Sequence, residues 1–196
     1  MSADRETLAF YRDGAEDYTE FSRRHGVPPR LARMAETLPP DARVLDLGCG
    51  AGWVARWLRD QGYAVTALDP VPEFLAPLAE AGIETIEGGA LTLDRPGGFE
   101  AIWSNCALQH MPRADMPEAL DRIAAALVPG GRLELALHEG ETDLRDTLGR
   151  LYCEWSEADL RALIEARGMT IGQVTHRALT GYDGRPITIM AISATK

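Results

Sequence analysis

Three glycines at alternate positions follow an acidic residue in the stretch Asp46-Leu47-Gly48-Cys49-Gly50-Ala51-Gly52. The apolar run at 44–47 predicts a buried strand, and apolar residues recur at helical spacing from Val54 onward. Because glycine has no Cβ, such a turn can adopt positive φ and let a ligand lie against its amide groups. The start of the following helix adds free N–H groups at the same place. The stretch is therefore typical of a nucleotide-binding turn.

The glycine spacing narrows the class of ligand. A dinucleotide fingerprint needs a third glycine at position 53, which is Trp53, and no Lys-Ser/Thr pair follows as a triphosphate loop requires. The carboxylate of Asp46 would repel a triphosphate and attract a ligand that carries an ammonium group. S-adenosylmethionine, which is cationic and has an amino acid end, is the ligand that this turn favours.

Composition bounds the kind of protein. The chain has 196 residues, 45% of them hydrophobic, which predicts one domain with a sizeable core. Thirty acidic and 20 basic residues give a formal net charge of −10. A surface of this charge should repel nucleic acid backbones and anionic lipid, so neither is an expected partner. The expected partner is therefore a small-molecule substrate. The oligomeric state is not predicted.

The expected location is the cytoplasm. No apolar run follows the first residues, and no stretch approaches the length that spans a bilayer. The three cysteines, Cys49, Cys106 and Cys153, are widely spaced and form no C-x-x-C pair, which favours neither a metal site nor disulfides.

A second predicted strand at 63–68 ends at Asp69-Pro70 and completes a βαβ unit with the glycine turn. A carboxylate at this position can accept hydrogen bonds from both hydroxyls of a ribose. The alternative is that Asp69 only caps the turn before the proline. The glycine turn favours ribose binding.

Residues 5–38 show helical spacing and predict two short helices and a third, ended by Pro39-Pro40. Tyr11 and Tyr18 lie in this N-terminal appendage. They either pack as core residues or belong to a lid that closes over the ligand.

A later strand is predicted at 100–105, and the residues after it, 105–110, should lie beside the reacting group at the carboxyl edge of the sheet. His110 is the first candidate for a general base, with a hydrogen-bonded scaffold role as the alternative. Cys106 is a weaker candidate nucleophile, since no positioned base is evident for it.

The strand predicted at 133–137 ends at His138-Glu139, again on the ligand side, and these two residues form the second candidate base. Residues 140–153 are expected to be irregular, either a solvated connection or a substrate lid. Capping boxes predict helices beginning at Asp115 and Ser156, and strands at 170–179 and 187–194 should close the chain as an antiparallel pair.

Four features carry a family resemblance: the glycine turn, Asp69, the Asn105 region and the segment Leu127-Val128-Pro129-Gly130-Gly131-Arg132-Leu133. Together they resemble the class I S-adenosylmethionine-dependent methyltransferases. The resemblance covers nearly the whole chain. It implies an α/β, Rossmann-like fold with a seven-stranded, mostly parallel sheet, one antiparallel strand and helices on both faces. The tyrosines and the 150–155 region are similar to the small-molecule or uncharacterised branch.

The resemblance also implies roles. Asp46 and the turn would hold the methionine part of the cofactor and Asp69 its ribose. Many relatives have an aspartate near position 89 that accepts the adenine amino group, whereas this chain has Gly88-Gly89. Adenine would then contact the backbone of Ala90 and the side chain of Leu91. The complete candidate set for the cofactor is Asp46, Gly48, Cys49, Gly50, Gly52, Trp53, Asp69, Pro70, Ala90, Leu91, Asn105, Cys106, Tyr11 and Tyr18, with Gln109, Glu139, Arg145, Arg150 and Tyr152 for the substrate.

The predicted function is methyl transfer from S-adenosylmethionine to a small molecule. The alternatives are an RNA- or protein-modifying methyltransferase and a cofactor-binding protein without transfer activity. The domain is expected to consist of a helical lid (1–40), a cofactor-binding core (41–139), a substrate lid (140–155) and a closing helix and hairpin (156–196).

Overall fold

Three helices precede the sheet. The structure, a computed structural model, describes residues 4–23 and 26–196. The helices are α1 (Arg5–Asp13), α2 (Ala15–Ser22) and α3 (Pro29–Glu36). Helix α1 begins after Asp4, whose carboxylate accepts a hydrogen bond from the Thr7 backbone N–H at 3.0 Å. The number and order of these helices match the spacing of apolar residues in the sequence.

The central sheet has the predicted form. Its strands are β1 (Arg43–Leu47), β2 (Ala64–Asp69), β3 (Glu84–Glu87), β4 (Phe99–Asn105), β5 (Leu127–His138), β8 (Thr170–Thr180) and β9 (Pro186–Thr195). The described residues arrange them in the order β3-β2-β1-β4-β5-β9-β8. Strands β1 to β5 pair in parallel, and β9 pairs antiparallel with both β5 and β8. The expected seven-stranded sheet with one antiparallel strand is confirmed.

Helices cover both faces of the sheet because alternate strand residues point to opposite sides. The remaining helices are α4 (Trp53–Asp60), α5 (Pro72–Glu80), α6 (Met116–Ala126) and α7 (Glu157–Glu165). Val44 of β1 packs with α3, α4 and α5, whereas its neighbour Leu45 packs with α6 and α7. Among the described residues, none of the helices is both long and apolar enough to cross a bilayer.

Three local features differ from the predictions. Strand β5 starts at Leu127, six residues early, because Leu127 pairs with Phe99 of β4 and the Gly130 N–H donates to the Lys196 carbonyl at 2.8 Å. Residues 140–153 are not irregular throughout, since β6 (Asp143–Arg145) and β7 (Leu151–Cys153) form an antiparallel hairpin. Asp115 makes no side-chain capping bond at the start of α6, whereas Ser156 accepts one from the Asp159 N–H at 3.1 Å.

Candidate active site

Two backbone hydrogen bonds join the glycine turn between β1 and α4 to the end of β2. The backbone N–H groups of Gly48 and Cys49 donate to the Leu68 carbonyl at 2.7 and 3.1 Å. Gly52 adopts a φ of 71°, and a Cβ there would lie 2.5 Å from two carbons of the buried Leu78 side chain. Packing of α4 against α5 therefore requires Gly52, whereas a Cβ at Gly50 would lie 3.5 Å from the Tyr18 ring, at ordinary contact distance.

Two carboxyl groups lie buried beside this turn. Asp69 accepts hydrogen bonds from the backbone N–H groups of Gly50 and Val71, both at 2.9 Å. Asp46 Oδ2 has no hydrogen-bond partner among the residues that the structure describes. Burial, and for Asp46 also the charge of Asp69, raises the pKa of Asp46 to about 7 and that of Asp69 to about 6. A cationic ligand would therefore be stabilised strongly at this place.

A cavity of about 90 Å³ lies at the carboxyl ends of β1, β2 and β4. Predicted site residues that line it are Tyr11, Tyr18, Gly48, Gly50, Asp69, Pro70, Asn105, Cys106 and His110, and the sequence analysis missed Thr7, Leu8, Val71, Phe74 and Ala107. Pockets for ligands of drug size enclose about 300–1,000 Å³. This cavity is smaller than that range, and the rings of Tyr11 and Tyr18 form part of its wall.

Aromatic rings from the first two helices cover this cavity. The rings of Tyr11 and Tyr18 pack edge to face at 5.0 Å, and the Tyr18 ring lies 5.9 Å from Phe74 of α5. Phe21 contacts Tyr182 of the loop between β8 and β9 at 4.6 Å. Aromatic contacts therefore hold helices α1 and α2 against α5 and the loop between β8 and β9, and their role as a lid stays a prediction.

His110 is buried, only 7% exposed, and both of its ring nitrogens have partners. Nδ1 lies 2.7 Å from the Leu151 carbonyl oxygen, and Nε2 lies 3.1 Å from the Tyr11 hydroxyl. Burial lowers the pKa of His110 to about 4, so the imidazole is neutral at neutral pH. A neutral, oriented imidazole at the edge of the cavity can accept a proton.

Cys106 has a φ of 56°, in the left-handed region that a residue with a Cβ rarely adopts. Its backbone N–H is fixed to the Ala136 carbonyl at 2.8 Å. Burial raises the pKa of the thiol to about 11, so it is protonated at neutral pH. The side chain forms part of the cavity wall and is a poor nucleophile.

Arg30 of α3 is a cation that the sequence analysis missed. Its guanidinium donates to the side-chain oxygen of Asn105, stacks 3.8 Å from the centre of the Trp103 ring and lies 3.9 Å from Glu134 Oε2. Within the described part of the chain, its Nη1 has no hydrogen-bond partner although it is buried. The pairing of β4 with β5 brings Trp103 and Glu134 together, and the packing of α3 adds Arg30, which in the sequence looks like an ordinary helix residue.

Other predicted residues lie outside the cavity. Gln109 accepts a hydrogen bond from the His138 backbone N–H at 2.9 Å, and the His138 ring stacks on Tyr152 at 4.6 Å. Glu139 forms an ion pair with His176 at the surface, and Arg145 pairs with Asp4. Residues that pack in or against the two cores instead of facing the cavity are Cys49, Trp53, Ala90 and Leu91.

The comparison with known families assigns the class of protein. A family described as a methyltransferase domain matches residues 18–174. The chain therefore belongs to that family, the class I S-adenosylmethionine-dependent methyltransferases, as the glycine turn and the sheet order indicate.

Particular relatives act on different compounds. The chain is 37% identical over 117 residues to the ubiquinone biosynthesis O-methyltransferase of Xylella fastidiosa, a match covering 54% of this chain and 46% of the relative. It is 30% identical over 161 residues to the 2-methyl-6-phytyl-1,4-hydroquinone methyltransferase of Synechocystis, covering 71% of this chain and 50% of the relative. The chain thus spans about half the length of the curated relatives it matches.

A solved structure is similar over the whole chain. It is the Burkholderia thailandensis 1,6-didemethyltoxoflavin-N1-methyltransferase with bound 1,6-didemethyltoxoflavin and S-adenosylhomocysteine. The two chains are 26% identical, with a TM-score of 0.79 over 100% of this chain and 91% of that chain.

Proposed function

We propose that the protein transfers a methyl group from S-adenosylmethionine to a small-molecule acceptor. The observation that carries the proposal is the buried pair of Asp46 and Asp69 at the glycine turn, where one carboxylate oxygen has no partner among the described residues. An unpaired buried carboxylate is costly, and a cationic ligand removes that cost. Membership of the methyltransferase family and the S-adenosylhomocysteine bound by the similar Burkholderia enzyme support the same cofactor.

The residues present fit this cofactor. Asp69 has lone pairs left on both oxygens after its two backbone bonds, and these would hold the ribose hydroxyls. The cofactor's methionine carboxylate needs a cation, and Arg30, which donates to the cavity-lining Asn105, has a buried Nη1 without a hydrogen-bond partner among the described residues. Asp46 would lie near the ammonium group. The adenine would lie against the backbone beyond β3 and the side chain of Pro70, which lines the cavity.

When bound, the cofactor supplies an electrophilic methyl group on a positively charged sulfur. The chain's part in such a reaction is to position the acceptor, exclude water and take up a proton. Tyr11 and Tyr18 would cover the cofactor and keep water away. His110 would be the first base, because it lines the cavity as a neutral imidazole, whereas the His138 ring lies behind Tyr152.

A small acceptor is favoured by three observations. The cavity lies beneath a cover of aromatic rings, which suits a planar organic molecule more than a polymer. The net charge of −10 disfavours RNA. The relatives named above are a ubiquinone biosynthesis O-methyltransferase, a 2-methyl-6-phytyl-1,4-hydroquinone methyltransferase and a 1,6-didemethyltoxoflavin-N1-methyltransferase. We also propose a cytoplasmic location and the division into a helical lid, a cofactor-binding core, a second lid and a closing hairpin.

Two other functions are the alternatives to this proposal. One is a methyltransferase acting on RNA or protein, and the other is a cofactor-binding protein without activity, for which the glycines at 88–89 in place of an adenine-binding aspartate are the motivating feature. Incubation with methyl-labelled S-adenosylmethionine and separated fractions of a cell extract tests all three. We expect the labelled methyl group to appear in the small-molecule fraction. A labelled methyl group in the RNA or protein fraction, or bound cofactor with no methyl transfer to any fraction, would contradict the proposal.

A further inference from the structure

A chain of hydrogen bonds links α1 to the candidate base. Arg150 Nη1 lies 3.3 Å from the Tyr11 hydroxyl, which lies 3.1 Å from His110 Nε2, and His110 Nδ1 lies 2.7 Å from the Leu151 carbonyl oxygen. Tyr11 comes from the N-terminal helix, His110 follows β4, and Arg150 and Leu151 belong to the segment at β7. Three parts of the chain that are distant in sequence therefore meet at one hydroxyl group.

The direction of each hydrogen bond follows from the groups at the two ends. A backbone carbonyl can only accept, so His110 Nδ1 carries the proton and Nε2 presents its lone pair. A guanidinium can only donate, so the Tyr11 oxygen accepts from Arg150. The Tyr11 hydroxyl proton must then point to His110 Nε2. One lone pair of the Tyr11 oxygen remains, and Tyr11 lines the cavity.

Further contacts hold α1 against the segment at β7, beside His110. The Leu151 backbone N–H donates to Thr7 Oγ1 of α1 at 2.8 Å, so Leu151 holds α1 with its N–H and His110 with its carbonyl group. Asp4 adds an ion pair with Arg145 at 2.9 Å. The Tyr11 hydroxyl therefore reaches His110 only when α1 lies against the segment at β7.

We propose that Tyr11 is a catalytic residue, the group that takes the proton of the acceptor and passes its own proton to His110. This inference rests on the proposed function and deepens it, because it names the class of acceptor: a molecule whose attacking atom carries a proton, a hydroxyl or an N–H group. An acceptor that attacks through a thioether sulfur has no proton to lose and would not need this pair.

The step balances. The acceptor's oxygen or nitrogen forms a bond to the methyl carbon as the bond from that carbon to sulfur breaks, and the electron pair stays on sulfur. The acceptor's proton moves to the Tyr11 oxygen, and the Tyr11 proton moves to His110 Nε2. The resulting imidazolium keeps its Nδ1–H bond to the Leu151 carbonyl and later releases its proton to water. No other reactant is needed.

The electrostatic surroundings set the protonation states from which this transfer begins. Burial raises the pKa of Tyr11 to about 12 and lowers that of His110 to about 4, so the pair begins as a neutral hydroxyl and a neutral imidazole. The charge of Arg150 is balanced by Asp146, whose Oδ2 lies 2.6 Å from its Nη2. Arg150 acts as a positioning residue, since its N–H fixes the Tyr11 oxygen and stabilises negative charge there during transfer.

Tyr11→Phe tests the proposal, because it keeps the ring that packs on Tyr18 and removes only the hydroxyl. We expect the affinity for S-adenosylhomocysteine, measured by calorimetry, to change by less than about threefold. The single-turnover rate of methyl transfer should fall by about 10²–10³-fold, within the usual range for general base catalysis. His110→Asn should cause a similar loss, and the double variant should lose little more.

Tyr63→Phe is the matched control. It also removes one partly buried hydroxyl bond, to the Ala35 carbonyl at 2.6 Å, but lies away from the cavity, and its rate should stay within about twofold of wild type. Nitrogen-15 NMR of His110 supplies a readout besides turnover: the Nε2 signal should indicate an unprotonated, hydrogen-bonded nitrogen and shift in Tyr11→Phe. A Tyr11→Phe rate above one third of wild type, or an unshifted signal, would overturn the proton relay alone. Absence of any transfer by the wild-type protein with cofactor bound would overturn the proposed function as well.

Discussion

Asp69 Oδ2 accepts a hydrogen bond from the Gly50 backbone N–H at 2.9 Å. The bond joins the carboxylate at the end of β2 to the glycine turn that follows β1, two sites recognised in the sequence as separate motifs. Because the parallel pairing of β1 with β2 sets Leu47 beside Leu68, the residues after each strand meet at the same edge. The two motifs therefore form one binding surface, and variants of either should affect the same ligand.

Replacing Asp69 by Asn should weaken the binding of S-adenosylhomocysteine by about 10–100-fold, because the charged acceptor of the ribose hydroxyls is lost. Calorimetry measures this directly. Asp94→Asn is the matched control, since it removes the same charge at an exposed position outside the cavity. Unchanged affinity in Asp69→Asn would show that the ribose is held elsewhere.

Replacing Arg30 by Met should weaken the binding of a ligand that has the amino acid end and leave the binding of a ligand without it nearly unchanged. The affinity for S-adenosylhomocysteine should fall by about 10–100-fold, whereas that for 5′-methylthioadenosine, which lacks the amino acid end, should change by less than about threefold. Arg33→Met, at an exposed position of the same helix, is the control and should affect neither ligand. An equal loss for both ligands would mean that Arg30 supports the fold around Asn105 and does not bind the carboxylate.

Affinity for S-adenosylmethionine should increase as the pH rises from 5.0 to 7.5. Asp46 and Asp69, with pKa values of about 7 and 6, lose their protons in this range, and the cationic ligand binds the ionised forms. Since both pKa values are raised by folding, these groups make the free protein less stable as the pH rises. The ligand-induced increase in Tm should therefore grow with pH, and Asp46→Asn should flatten it. A constant increase across the range would contradict the role of these carboxyl groups.

Replacing Gly52 by Ala should destabilise the fold by about 1–3 kcal/mol, because the new Cβ meets the buried Leu78 side chain in addition to straining the backbone. Gly130→Ala is the control, since Gly130 has a similar φ of 77° but open space where a Cβ would lie. Chemical denaturation of both variants gives the comparison. Equal losses would mean that the backbone conformation alone requires glycine at position 52.

Sequence reasoning predicts the architecture well because local patterns encode it. Apolar runs, the glycine turn and the carboxylate at Asp69 each lie within a few residues, and parallel strand order follows from alternating strands and helices. The seven-stranded sheet with one antiparallel strand was predictable for this reason. The pairing of the chain end with Gly130, which lengthens β5, depends on residues far apart and left no local pattern.

The candidate site was predictable only in part. Residues next to strand ends, such as Asp69 and His110, were identified from their position, but Arg30 contacts Asn105 only through tertiary packing. Gly52 was assigned to the ligand although Leu78, which is distant in sequence, explains it. Arg150 was predicted as a substrate residue, and its contact with Tyr11 could not be inferred, because nothing in either segment specifies the other.

The most direct test of the account is a crystal structure of the protein with S-adenosylhomocysteine. We predict the ribose hydroxyls on Asp69, the carboxylate of the ligand at Arg30 beside Asn105, and the sulfur directed toward the Tyr11 hydroxyl and His110. A ligand bound away from the glycine turn, or one with its sulfur on the opposite side from Tyr11, would contradict it.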